Sequence, residues 1–380
     1  MNRINTIDIL KDLIRIPSYV DGKKNEAEIA KYIKNFFKII KKKYFIEEQI
    51  VEKNRINLIV KDCLSPKIIL FGHMDTVLPK EKTTKPFEPK IINNKLFGLG
   101  SGDMKAGLAI MLSLAFKNAK KSLGLIFTAD EEYEFKGSLS LVAKINFKPK
   151  LVINLEPTNL EIVNSCRGIT EFSFNVYGKS AHASQKQLGI NAIEKAVELT
   201  DKLQKSISSL DNKKIGSNSL NLAYLRGGVL QKNHGNTNKK ISGLGMNVPD
   251  YAEVNCEIRI ASHKITTAFI SKQIKTLAKS LGIKITNLNY KFYFGSMLTD
   301  KEKLEEFETA IKNNGLAVKY RQPNLSGYYE VQMLQEKWNC DCLVFGPGPM
   351  ELSHAANEYV DLKSLAAAEK VIESYINSVL

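Results

Sequence analysis

The chain has 380 residues, of which 43% are hydrophobic and 25% charged; this suits two or three globular domains and excludes disorder, collagen and coiled coil as whole-chain descriptions. The formal charge is +15, yet only seven basic residues are arginine and 48 are lysines scattered over the whole length, so a solvated surface is expected and no nucleic-acid partner. Cys63, Cys166, Cys256, Cys340 and Cys342 are odd in number and lack Cys-x-x-Cys spacing, which reads as small buried apolar residues in a reducing compartment.

No apolar run approaches the roughly 18 residues that span a bilayer, and Met1 to Asn5 lead into an amphipathic pattern rather than a signal-peptide core, so the expected location is the cytoplasm, away from membranes. Helical periodicity opens at Ile7 to Ile14 and returns at Glu26 to Ile40, just before the lysine run Lys41 to Lys43. Apolar runs then alternate with helices: Ile68 to Phe71, a helix from Met104 to Phe116, Leu123 to Phe127, a weaker helix from Gly137, and Leu151 to Leu155. Another run, Cys342 to Phe345, lies near the end, and a helix from Leu362 to Val379 closes the chain. This alternation predicts an α/β sheet whose central strands are buried on both faces.

Between these halves the pattern changes to strand (Thr170 to Tyr177), helix (Ala192 to Ile207), strand (Leu220 to Arg226), strand (Ala252 to Ala261), helix (Thr266 to Leu281) and strand (Ile283 to Phe292). The order β-α-β-β-α-β is the split βαβ, ferredoxin-like arrangement. It predicts an insert, residues 167–292, in a discontinuous domain made of residues 1–166 and 293–380.

The acidic and histidine residues sit where the apolar runs end. Phe71 is followed by Gly72-His73-Met74-Asp75, Phe127 by Asp130-Glu131-Glu132, Leu155 by Glu156, and Phe345 by Gly346-Pro347-Gly348 and then His354. In open α/β sheets, sites form outside the carboxyl ends of the strands. A glycine-rich approach, Gly98 to Asp103, adds a fifth contribution; as a phosphate loop it lacks the Gly-Lys-Ser/Thr ending, and its aspartate would repel the anion. A lone histidine after a strand is more often structural, so the collection carries the argument.

His73, Asp103, Glu132, Glu156 and His354 supply two imidazoles and three carboxylates, a set that suits two zinc ions, with cobalt or manganese as substitutes. If one carboxylate bridges, each metal gains three protein ligands and keeps a position for a shared water. Two divalent cations against three carboxylates leave one net positive charge, which a bridging hydroxide neutralises. Glu131 is then a surplus carboxylate placed as general base, and Asp75 is placed to accept the second N–H of the His73 ring.

The segments Gly72 to Val77, Gly98 to Gly107, Asp130 to Glu132, Glu156-Pro157-Thr158, Gly178 to His182 and His354 to Glu358 together resemble the co-catalytic zinc exopeptidase and aminoacylase family, which includes glutamate carboxypeptidase, acetylornithine deacetylase and succinyl-diaminopimelate desuccinylase. The resemblance covers essentially the whole chain. It implies that Asp103 bridges, that His73 and Glu156 complete one zinc site and Glu132 and His354 the other, and that Glu131 is the base. It further implies that the insert is a lid that forms homodimers, with His182 reaching a neighbouring active site as an oxyanion donor. Asn247 with Pro249, and Arg259, resemble substrate contacts of the insert; Arg167 and Gly327 resemble pocket positions of the main domain. Relatives usually show a glycine-rich stretch ending in Ser-Asp or Thr-Asp where this chain has Ser326-Gly327-Tyr328-Tyr329-Glu330, and the tyrosines are expected to reshape the pocket.

The expected activity is hydrolysis of an amide bond next to a substrate carboxylate, in a small peptide or an N-acyl amino acid. Met74 in the His-x-Asp segment leans toward the carboxypeptidase-like branch, and deacylation is the alternative. A catalytically silent binding protein of the same fold is the reading from another class, disfavoured because every ligand and the base are present. His234, His263 and Arg226 fit no motif and read as surface or strand-end residues.

Overall fold

The computed structural model describes residues 5–40, 44–117, 122–231, 240–243 and 245–380. The first four residues, Lys41 to Lys43 and His234 lie outside this set. The chain divides into two units, one of residues 1–164, 298–322 and 329–380, the other of residues 165–297 and 323–328.

The larger unit is built on a six-stranded sheet in the order Phe45–Glu52, Arg55–Lys61, Leu123–Thr128, Ile68–His73, Leu151–Asn154, Asp341–Val344. The last four strands are parallel, and three of them, Ile68–His73, Leu123–Thr128 and Leu151–Asn154, are buried along their whole length, which is why they read as unbroken apolar runs. Thr6–Arg15 begins at Asn5, whose side chain accepts the Ile7 N–H, and buries Ile9, Leu10, Leu13 and Ile14. Lys105–Lys117 is apolar nearly all round and buried over most of its length. Its Gly107 meets the end of a strand so closely that a Cβ there would lie 2.5 Å from the Leu155 carbonyl oxygen, an approach that draws Asp103 and Glu156 together.

Elements that the periodicity does not announce are the antiparallel hairpin Phe45–Glu52/Arg55–Lys61 and the helices Glu305–Asn313 and Val331–Trp338. The outer hairpin strand is mostly exposed, so water rather than a core sets its composition.

The smaller unit is an antiparallel sheet in the order Lys240–Ser242, Ser219–Gln231, Tyr251–Ile260, Gly168–Tyr177, Lys284–Phe294. Helices Ala192–Ser208 and Thr267–Ser280 share a core with Phe172, Phe174 and Val176. The strict alternation of burial along Gly168–Tyr177 leaves the other face open. This is the ferredoxin-like arrangement inserted in an α/β unit. Its extent differs from 167–292, because Pro323–Tyr328 returns to it: Arg167 donates to the Asn324 carbonyl and Tyr328 stacks on Phe294 at 4.9 Å.

Candidate active site

Residues at or just after the ends of three neighbouring parallel strands converge: His73, Glu131 with Glu132, and Glu156. They are joined by Asp103, at the start of the buried helix, and by His354. Nε2 of His73 lies 3.2 Å from Asp103 and 3.3 Å from Glu156, and Nε2 of His354 lies 2.9 Å from Glu132 and 3.5 Å from Asp103. Three donor groups result, His73–Asp103–Glu156, Asp103–Glu132–His354 and His73–Glu131–Glu132, each with its ligand atoms within 4.8 Å of one another, and Asp103 is shared by the first two. Glu131 also approaches His73, at 4.0 Å, farther than either carboxylate of the first group.

The His73 ring is oriented from behind. Its Nδ1 faces the Asp75 main-chain oxygen at 3.1 Å and the Asp75 carboxylate at 3.5 Å, so an N–H there leaves the Nε2 lone pair directed at the cluster. Of the two Asp75 acceptors, the carbonyl is thus the nearer to the ring and the carboxylate the farther. The carboxylate itself accepts the main-chain N–H groups of Glu131 and Glu132, at 3.1 and 3.0 Å, and so fixes the two adjacent acids.

Crowded carboxylates with little water are unfavourable. Burial pushes Glu156 up to about 8, Asp103 and Glu132 adding to the rise and His73 opposing it. Burial likewise lifts Glu131 well above the carboxylate range, with Glu156 and Glu132 adding to the effect. Burial would depress His73, but Glu156, Asp103 and Asp75 more than offset it and hold the imidazole well above its ordinary value. A site in which burial and neighbouring acids raise Glu131, Glu132 and Glu156, while the imidazoles hold Asp103 below its ordinary value, fits a pair of divalent cations. Asp130 and His354 both adopt positive φ (70° and 63°), a conformation rare for such residues and common at functional sites.

Three further groups escape a reading of the sequence. Arg55 pairs with Glu26 through two bonds of 2.9 and 2.6 Å and with Asp130 at 2.6 Å, anchoring the Asp130 to Glu132 turn in a buried network. Glu330 is buried, accepts the Thr128 hydroxyl at 2.9 Å, and is pushed by burial up to about 7. Glu358 accepts N–H groups from the glycine-rich approach. In the sequence Glu330 and Glu358 are only the last residues of Ser326 to Glu330 and of His354 to Glu358, and nothing links Arg55 to Glu26.

The remaining expected residues lie in the smaller unit. His182 is exposed, its Nδ1 is 2.7 Å from the Ser184 hydroxyl, and its backbone bridges that of exposed Asn247. Arg259 donates to Glu257 at 2.8 Å. Arg167 is held below its ordinary value first by burial and then by the charge of Arg259, so two of the seven guanidiniums stand close together. Gly327, expected on the main domain, belongs instead to this unit, as does Arg167, which resembles a main-domain pocket position but opens the expected insert 167–292. Gly327 has open space where a Cβ would stand. The tyrosines beside it are packing residues: Tyr328 stacks on Phe294, and Tyr329 is buried in the larger unit.

The profile of "Peptidase family M20/M25/M40" matches residues 69–378. An acetylornithine deacetylase from Buchnera aphidicola is 27% identical over 395 residues, covering 98% of this chain and 97% of the relative. Among solved structures, the aminopeptidase PepT of Bacillus cereus superposes with a TM-score of 0.75 at 20% identity, covering 100% of this chain and 99% of the other. A dinuclear metal-binding peptidase of Bacillus subtilis superposes with a TM-score of 0.69 at 16% identity, covering 98% and 97%. With most of its length inside the family profile and the donor groups in place, the chain belongs to peptidase family M20/M25/M40 and is a metal-dependent hydrolase.

Proposed function

We propose that this hydrolase uses two zinc ions to cleave the amide bond of an N-acyl amino acid whose carboxylate is free. The observation that supports this reading most strongly is the pair of donor groups sharing Asp103, with buried Glu131 beside them. Nitrogen and oxygen donors of this mixture suit zinc, and cobalt or manganese would substitute. His73 and Glu156 would hold one ion, Glu132 and His354 the other, and Asp103 both. Such a pair supplies Lewis-acid polarisation of the scissile carbonyl and lowers the pKa of a water.

The chain's own groups do the rest. Glu131 takes a proton from the attacking water and delivers it to the amide nitrogen, so that the C–O bond forms, the C–N bond breaks and the amine leaves neutral. Asp75 keeps Glu131 in register through the main chain. Arg259 and Arg167 bind the substrate carboxylate. Asn247 and Gly327 complete the substrate contacts, and His182 of a second copy stabilises the oxyanion in a homodimer. All five cysteines are free, which supports a reducing cytoplasm, and among the described residues no helix is long and apolar enough to cross a membrane.

The deacetylase relative, spanning 98% of this chain, supports the N-acyl substrate. The family's description as peptidases favours a second reading, cleavage of a C-terminal peptide bond. Turnover of the metal-loaded protein on a panel of N-acyl amino acids and dipeptides separates them: N-acyl amino acids are expected to give the higher kcat/KM, and a preference for dipeptides reverses the choice. Amidating the substrate carboxylate should impair the wild type and add little to the defect of Arg259→Ala. Equal penalties in both proteins would leave Arg259 as only the ion-pair partner of Glu257.

A further inference from the structure

The glycine-rich approach to Asp103 is held by an anion that the chain itself provides. Glu358 is buried, and both of its oxygens are used: one accepts the Gly100 N–H at 2.8 Å, the other accepts those of Gly102 and Asp103 at 2.7 and 2.8 Å. The helix begins at Lys105, so the Gly102 and Asp103 amides precede its first turn, where N–H groups lack partners within the helix. A carboxylate there makes charge-assisted bonds and fills the place that a phosphate takes in other glycine-rich loops. The loop is gripped from its other side too. Gly100 has φ +75°, and a Cβ on it would stand 2.7 Å from Thr76 and 3.1 Å from Lys105, whose Nζ donates to the Ile16 carbonyl at 2.8 Å.

Glu358 follows His354 by four residues. One side chain therefore joins the segment that carries His354 to the backbone of Asp103, the two residues that meet in the second donor group. We infer that Glu358 is the positioning residue that sets Asp103 against His354. This rests on the reading of Asp103 and His354 as metal ligands. The hydrogen bonds of Glu358 go to main-chain amides and not to ligand atoms, so it places Asp103 through the backbone, while its charge also acts on Asp103 and His354. Ligands displaced by a fraction of an ångström bind metal less tightly and orient it less well.

Glu358→Gln replaces one acceptor oxygen with an NH2 group that would face amide donors; Glu358→Asp keeps the charge but is one methylene too short to hold all three amides. Metal-free wild type and both variants are compared by thermal melting, then by titration with Co2+ followed through its visible absorption and by calorimetry. Both variants are expected to fold, to bind the weaker of the two cobalt ions at least about tenfold less tightly, and to shift the cobalt absorption bands, Gln more than Asp. With the ions saturating, kcat should fall while KM changes little. Folded variants with wild-type cobalt affinity and an unshifted spectrum would overturn the inference, as would failure of both variants to fold, which would make Glu358 a folding determinant alone. A wild type that binds no cobalt would instead sink the metal reading on which this inference stands.

Discussion

Glu131 and Glu132 are neighbours in sequence with different surroundings. Glu132 meets His354 at 2.9 Å, whereas the nearest imidazole to Glu131 is 4.0 Å away. Glu131→Gln is therefore expected to keep both metals and lose at least about 10²-fold in kcat, the scale of general-base catalysis. Glu132→Ala should lose metal, and metal loss from both variants, read by elemental analysis, would contradict the division of labour. The residue types of the donor set were legible in the sequence because strand ends are recognisable from apolar runs: the runs ending at Phe71, Phe127 and Leu155 release a histidine or acid at His73, Asp130 and Glu156, and the run ending at Phe345 is followed, farther on, by His354. What holds those residues was legible only for Asp75 beside His73, and there without its main-chain part. Asp75 acts through its main chain and through the amides of Glu131 and Glu132, and main-chain partners leave no trace in composition or spacing.

At the level of elements, one carboxylate ties three helices. Glu369 of Leu362–Val379 accepts from Thr6 at 2.7 Å, Ser113 at 2.6 Å and Lys117 at 2.9 Å, joining it to Thr6–Arg15 and Lys105–Lys117. Burial alone would raise this carboxyl, but the three donors more than offset it and hold it below 4.5. A depressed carboxyl contributes stability that is fully present above its unfolded value and is lost as pH falls through the folded one. Removing these charge-assisted bonds in Glu369→Ala should cost about 2 kcal/mol at neutral pH. Metal-free melts at pH 6 and below pH 4 should show the gap between wild type and variant closing in acid, and a gap independent of pH would contradict the assignment. Long-period helices such as these are legible from periodicity; the hairpin at Phe45–Lys61 was not, because its outer strand faces water and carries charge where a buried strand would carry apolar residues. Pro323–Tyr328 returning to the smaller unit was also invisible, since its contacts are a carbonyl, a ring stack and a glycine beside Asn324.

For the whole molecule, the account requires two copies of the chain, because exposed His182 is assigned to the partner's reaction. His182→Ala and Glu131→Ala, each inactive alone, should regain activity when their subunits exchange, since one composite site then holds both intact groups. A mixture that stays inactive after exchange is verified by mass would place His182 in its own chain's service. The claim on which everything else depends is the proposal that one carboxylate serves both metals, which the sharing of Asp103 by two of the three donor groups supports. The most direct test is metal content per folded chain, measured by elemental analysis after loading with zinc and removal of the excess. About two ions are expected for the wild type and fewer than about one for Asp103→Ala, because losing a shared ligand weakens both sites. Two ions retained by Asp103→Ala, or none bound by the wild type, would contradict it.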